Sequence, residues 1–404
     1  LADHFQRWHP RGPGRRSCFG AWRAGGRRLG LAVAISGLYP SIACAQSLDS
    51  PIAWRLSNTA DGWAAIHNGT RRNIAALNKI DAAITVDGHA AGVGWLSAHA
   101  SYFHIVGHGP SERLVGDGHG IDNAESDPDH RLFEAWVEAR LARNASVRVG
   151  LMDLNAQFDA IDSASLFLNS GHGMGTEFAA SGVNGPSTYP ATGLGISAAG
   201  TWSGLTLQAA AFDGAPDATA HGGLASMRLR GRDGALIVGQ ARYALGRDGP
   251  SLGFGVYRYS RAPVPLPEAM TRRQGGGGVY AMAELPAIWG LAAWLRIGFA
   301  DAAISDVRHQ ISGGIVRHAP FPGREHDKVG LAVSTIRVRP DGPGRIGYAR
   351  RETNVELTYH LALSETVSLQ PDVQYILRPA YDRDSKNALL AGLRLTVSFG
   401  SQDR

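Results

Sequence analysis

From Ala76 onward the chain is a succession of segments, each about ten residues long, in which apolar and polar residues alternate between clusters of Gly, Asp, Pro and Asn. In Leu132 to Leu141 the odd positions are Phe133, Ala135, Val137, Ala139 and Leu141, and the even ones include Glu134, Trp136, Glu138 and Arg140. A strand puts these two sets on opposite faces, whereas a helix would mix them. The same alternation sets Val147, Val149 and Leu151 against Ser146 and Arg148, and Leu291, Leu295, Ile297 and Phe299 against Trp294 and Arg296. Near the end, Val355, Leu357 and Tyr359 oppose Asn354, Glu356 and Thr358, and Val373 and Tyr375 oppose Asp372 and Gln374. The last segment sets Leu389, Leu393, Leu395, Val397 and Phe399 against Gly392, Arg394, Thr396 and Ser398.

Two all-β architectures read this way. In a soluble sandwich the apolar face is the core; in a transmembrane barrel it meets lipid while the polar face lines a lumen. Strand length separates them, because soluble strands average ~5–6 residues and membrane strands need ~9–11. Leu132–Leu141 and Leu389–Phe399 are of the longer kind. At about 22 residues per strand and connection, the body holds about 16 strands, a number typical of aqueous channels. In lipid every backbone N–H and C=O must pair within the protein, so the sheet closes into an antiparallel cylinder. Charged inward side chains are then solvated by a wet bore instead of being buried at high cost.

Composition and charge agree. A hydrophobic share of 44% is too low for a bundle of membrane helices and too high for a disordered chain. The formal net charge of +5 is concentrated at the start, where Arg7, Arg11, Arg15, Arg16, Arg23, Arg27 and Arg28 face the single acid Asp3. The body is near neutral, so no basic surface tracks phosphates and no nucleic-acid partner is expected. Arg27-Arg28, the apolar run Leu29 to Leu38 and the small-residue exit Ala43-Cys44-Ala45 have the three parts of a secretory signal. Residues 1–45 are therefore expected to be an N-terminal extension plus a signal peptide cleaved after Ala45, 46–75 a short N-terminal segment, and 76–404 the barrel. Both cysteines, Cys18 and Cys44, fall in the first part, which leaves an exported body free of disulfide chemistry.

At Arg131-Leu-Phe-Glu-Ala-Trp-Val-Glu-Ala-Arg140 the chain begins to resemble the carbohydrate-selective porin (OprB) family of Gram-negative outer membranes. The likeness continues through Val147–Asp153, Phe158-Asp-Ala160, Leu166–Ser170 and Tyr189–Gly195, and resumes at Gly298-Phe-Ala300, Gly313-Gly-Ile315 and Gly323-Arg-Glu-His-Asp327. It is clearest at Glu352-Thr-Asn-Val-Glu356-Leu-Thr-Tyr359, Leu369-Gln-Pro-Asp-Val-Gln-Tyr375 and Ala391–Phe399. The resemblance implies a sixteen-stranded antiparallel barrel narrowed by inward loops. It also implies passive diffusion of monosaccharides and related small polar solutes across the outer membrane. Two departures stand out: Phe399 is followed by five further residues where many outer-membrane barrels end on the aromatic residue that the barrel assembly machinery reads, and Pro286 interrupts the strand pattern after Val279–Glu284.

A sugar pore needs carboxylates and guanidiniums for hydroxyls and flat rings for the sugar's C–H face. By alternation the inward candidates are Glu134, Trp136, Glu138, Arg140, Arg148, Trp294, Arg296, Glu356, Gln374 and Arg394. Each can equally be a solvated lumen residue or half of an ion pair bracing the wall. Leu166–Asn169 with Gly171–Gly175 reads as an inward loop or a surface loop. The histidines His99, His104, His108, His119 and His130 do not share one strand face and lack a cysteine or acidic partner, so no metal and no cofactor is expected.

Enzyme signatures are weak. Gly195 to Gly200 is one residue too long for a nucleophile elbow, and no Gly-Lys pair exists for a P-loop. Glu134 and Glu138 lie roughly 13–14 Å apart along a strand, beyond the ~6.5–9.5 Å of an inverting glycosidase pair. The reading is an outer-membrane diffusion pore, not an enzyme; a closed-lumen barrel acting as scaffold or surface interaction protein is the alternative. Monomer and trimer both stay open.

Overall fold

The computed structural model describes residues 51–68, 73–88, 92–216, 234–246, 249–261, 275–338, 351–381 and 385–401. The expected signal segment and both cysteines lie outside them. Sixteen strands run in chain order: Ile52–His67 (β1), Ile74–Asp87 (β2), Leu96–Gly107 (β3), Asp129–Ala142 (β4), Ala145–Met152 (β5), Gly193–Trp202 (β6), Leu205–Asp213 (β7) and Ala235–Ala244 (β8). They continue as Ser251–Tyr259 (β9), Gly277–Ile288 (β10), Leu291–Ala300 (β11), Val307–His318 (β12), Lys328–Val338 (β13), Arg351–Ala362 (β14), Val367–Leu377 (β15) and Ala388–Gly400 (β16). Each pairs antiparallel with its neighbours in sequence, and β1 pairs with β16 to close the barrel. Strand β1 lies inside the 46–75 stretch that alternation left without an element. Its inward residues Trp63 and Asp61 are interrupted on the other face by Asn58, Ala60 and Gly62, so the greasy half of the pattern is missing there.

Connections differ at the two ends. β6–β7 and β10–β11 are joined by two-residue turns, Ser203-Gly204 (φ 48° and 86°) and Trp289-Gly290 (φ 53° and 78°), whose positive φ values suit tight hairpins. The other end carries the long connections, including residues 108–128 and 153–192. In outer-membrane barrels short turns face the periplasm and long loops the exterior.

The outer wall is apolar. Val137, Val149, Ile237, Phe254, Leu295, Ile311, Leu357 and Leu395 are between 37% and 55% exposed, as expected of side chains whose solvent is lipid. At the turn end, exposed Trp54, Trp95, Trp202, Tyr243, Trp289 and Phe321 form an aromatic girdle of the kind that sits at headgroup level. Two outward amides, Asn58 and Asn78, bond to each other at 2.9 and 3.1 Å, which removes the cost of leaving them bare in lipid.

Two strand details depart from simple alternation. Between β3 and β4 the pairing shifts from Ser101↔Glu134 to Tyr102↔Leu132, so Phe133 is an extra residue in a bulge. Phe133 is thereby turned inward, 6% exposed, against Phe103 and Tyr189, and does not join Val137 on the lipid face. Pro286 does not end its strand: β10 runs to Ile288, with an irregularity between Leu285 and Ile288 that accommodates the missing N–H.

Candidate constriction and lumen

The lumen is not an empty cylinder. The β5–β6 connection, residues 153–192, crosses it, and most of the 166–175 stretch is buried inside, with Asn169 and His172 at 0% and 1% exposure. The inward-loop alternative is therefore the one realised. Inward-facing side chains from the far wall hold its backbone. Glu356 of β14 accepts hydrogen bonds from the N–H groups of Leu168 (2.6 Å) and Asn169 (3.1 Å). From β15, Gln370 donates to the Leu166 carbonyl (2.7 Å), and the Gln374 carbonyl oxygen accepts from the Asn169 amide (3.1 Å). On β12, Gln310 donates to the Gly171 carbonyl (2.6 Å) and accepts from the Thr176 N–H. These bonds satisfy a non-strand backbone that crosses the barrel interior, where water alone could not reach every group.

The charged fastening is Arg296 of β11. Its guanidinium spans Asp159 (2.7 and 2.6 Å) and Glu177 (3.1 and 2.7 Å), both on the loop, and all three side chains are at most 1% exposed. Gly175 and Gly298 flank this cluster, and a methyl group on either would collide with Arg296 or with Glu177. Beside it Phe178 stacks on Tyr257 with ring centroids 3.7 Å apart.

The second inward connection, residues 108–128, is held the same way. Glu352 of β14 accepts from Gly118 N–H (2.9 and 3.0 Å) and lies 2.7 Å from His119 Nδ1. Gln374 donates to the Ile121 carbonyl (2.8 Å). Arg394 of β16 bridges Asp61 of β1 (2.9 Å) to Asp122 (2.7 Å) and Asn123 (2.9 Å) of the loop, while the Trp63 indole donates to Asp122 at 2.7 Å. The Tyr189 hydroxyl donates to the Ala124 carbonyl (2.7 Å) and so joins the bases of the two loops.

All ten candidates by alternation face inward, but they separate by what they touch. Arg296, Glu356, Gln374 and Arg394 hold the loops. Glu134, 1% exposed, accepts from the Asp153 N–H where the long loop begins (3.0 Å). The two tryptophans do not offer a free face to a sugar. Trp136 is stacked between His99 (5.1 Å between centroids) and the Arg148 guanidinium (3.7 Å), and Trp294 is packed against Phe167 and His172. Glu138, Arg140, Arg148 and the loop-bound Arg394 keep partly open side chains; Glu138 and Arg148 form an ion pair at 2.9 Å, their side chains 16% and 15% exposed, against 13% for Arg394. The five histidines are dispersed: His99 is stacked in the lumen, His104 and His130 face outward, and His108 and His119 belong to the 108–128 loop.

Comparison with known proteins settles the family. The model of the carbohydrate-selective porin, OprB family, matches residues 72–399. The chain belongs to this family. Its motifs have legible jobs: Glu352-Thr-Asn-Val-Glu356 and Leu369–Tyr375 are the combs that grip the two inward loops. Gly323–Asp327 ties the β12–β13 turn to β14, because Asp327 accepts from Arg324 (2.7 Å), the Tyr359 hydroxyl (2.6 Å) and the Ala362 N–H (3.0 Å). Porin B of Pseudomonas aeruginosa is 26% identical over 128 residues, a match spanning 27% of this chain and 28% of that protein. The high-pH structure of Pseudomonas putida OprB superposes with a TM-score of 0.75 at 18% identity, covering 87% of this chain and 95% of that one. A triple mutant of the Rhodopseudomonas blastica porin gives 0.51 at 13% identity, over 86% and 100%. The fold and the family are those of outer-membrane channels, and the protein is placed in the outer membrane of a Gram-negative cell.

Proposed function

We propose that the protein is a passive pore giving carbohydrate-selective diffusion of monosaccharides and related small polar solutes into the periplasm, without catalysis. The observation that carries this reading is that the inserted loop leaves partly open charged groups on the lumen wall towards the turn end: Arg55, Glu138, Arg140 and Arg148 on β1–β5, and Arg242, 2.7 Å from Glu284, on β8. Carboxylate and guanidinium side by side offer an acceptor and a fork of donors to sugar hydroxyls. We assign sugar contact to Glu138, Arg140 and Arg148, and loop positioning to the others. Export by a signal peptide ending at Ala45 and insertion by the barrel assembly machinery belong to the same proposal. So does an assembly signal at Phe399 that tolerates a tail: Gly400 still pairs with Arg55, and the Ser401 N–H donates to the Trp54 carbonyl at 3.1 Å.

One observation favours the closed-lumen scaffold: two connections enter the barrel and absorb most of its inward charge. Planar-bilayer recording separates the readings. The pore gives steady conductance that added monosaccharide reduces, and E138Q with R148Q weakens that block without abolishing conductance. A protein that inserts but never conducts is the scaffold.

A further inference from the structure

On the outside of the barrel, at the loop end, four consecutive strands present a row of Cα partners: Phe299 (β11), His309 (β12), Arg337 (β13) and Arg351 (β14). Arg337 and Arg351 are exposed and directly opposed, so their side chains rise from backbones about 5 Å apart. A register shift between Val307 and His309 places Arg308 beside them, and Arg378 is exposed where β15 ends. Among the described residues no carboxylate pairs with Arg308, Arg337, Arg351 or Arg378. The acids of the same strands, Glu352 and Glu356, point inward and are engaged by the loops. Like charges directly opposed across a sheet destabilise it, so a cluster left uncompensated here is suited to an anion from outside the chain. Two neighbouring arginines match a phosphate, which each can grip with two N–H groups.

What lies below the row identifies the anion. One step toward the midplane, Thr335 and Thr353 bond to each other at 2.9 Å, closing off their polarity. Beside them Ile311, and beneath them Leu331, Val333 and Leu357, are exposed to lipid on the same strands. Cations at the outer rim above a greasy wall are the complement of an amphiphile with a phosphorylated head and acyl chains. We infer that the β12–β14 rim docks a phosphorylated glycolipid of the outer leaflet, its phosphates on Arg337 and Arg351 and its acyl chains along the wall below. This rests on the outer-membrane placement and not on which solute the bore passes.

The test uses the purified full-length barrel in detergent and native mass spectrometry with three probes: diphosphorylated lipid A, the same lipid stripped of phosphate, and a zwitterionic phospholipid. R337Q/R351Q is compared with R258Q, which removes one exposed outward cation on β9, away from the row. R351K keeps the charge. Wild type is expected to hold lipid A at least about tenfold more tightly than the stripped lipid, as two charges at an anionic surface allow. That preference is lost in R337Q/R351Q and kept in R258Q and R351K, with conductance unchanged in all. Equal retention of phosphorylated and stripped lipid by wild type overturns the inference. So does undiminished lipid A binding by R337Q/R351Q, or displacement of lipid A by millimolar inorganic phosphate, which would mark a site for soluble anions.

Discussion

Replacing Arg296 by Met tests whether the lumen charges are fasteners. The arginine makes four hydrogen bonds, at 2.7, 2.6, 3.1 and 2.7 Å, to Asp159 and Glu177, inside a region where none of the three side chains is more than 1% exposed. Methionine fills much of the volume but leaves two carboxylates facing each other without a cation. Breaking a buried pair by removing one partner costs about 3–5 kcal/mol. That cost falls on the seated position of the loop, because the strand ladder does not depend on Arg296. The ratio of seated to unseated loop drops by roughly two to four powers of ten. Single-channel recording of R296M is expected to show larger, noisier openings, and liposome swelling should lose discrimination between mono- and oligosaccharides. The barrel itself should keep its heat-modifiable migration. In the variant R296M/D159N/E177Q the unpaired charges are gone, and most of the wild-type conductance should return. Wild-type conductance and sugar discrimination in R296M would refute the fastening role.

Other substitutions probe the remaining links. Val137→Arg puts a charge on the lipid face and is expected to cost ~2–4 kcal/mol near the midplane, measured by denaturant unfolding in vesicles; Glu138→Arg, one residue away and facing the lumen, should leave folding intact and change permeation. Gly392→Val drives a side chain into the Trp63 indole, which lies over that glycine; overpacking of ~1–3 kcal/mol is expected, read as a lower melting temperature. At the β12–β13 turn, burial acts to raise the Asp327 carboxyl, but hydrogen bonds from Arg324, Tyr359 and the Ala362 N–H outweigh it and hold its pKa below the usual value. This stabilisation is present above about pH 4 and is lost as pH falls through the lowered folded value. D327N should therefore lower stability at neutral pH and show less further loss on acidification than wild type, and an unchanged acid profile would contradict the turn assignment.

The barrel was legible because membrane strands are long and their two faces have different solvents, so alternation survives over ten or more residues. Strand β1 escaped notice because its greasy outward residues Ile52, Trp54 and Leu56 give way to Asn58, Ala60, Gly62 and Ala64 along the middle of the strand, which breaks the alternation. Phe133 misled because a bulge changes faces without leaving a mark in composition. The site was legible only as a set: alternation correctly turned Arg296, Glu356, Gln374 and Arg394 inward but could not say that loop backbone, not solute, occupies them. Their partners Asp159, Glu177 and Asp122 lie in irregular connections, where no period assigns a direction. The covered faces of Trp136 and Trp294 depend on His99, Arg148, Phe167 and His172, which are distant in sequence.

Swelling of liposomes carrying the purified protein, in a graded series from monosaccharides to oligosaccharides, tests the central claim most directly. The account predicts rapid swelling with monosaccharides that falls steeply with solute size. A protein that is correctly inserted, with its heat-modifiable barrel intact, and yet admits no monosaccharide would contradict it.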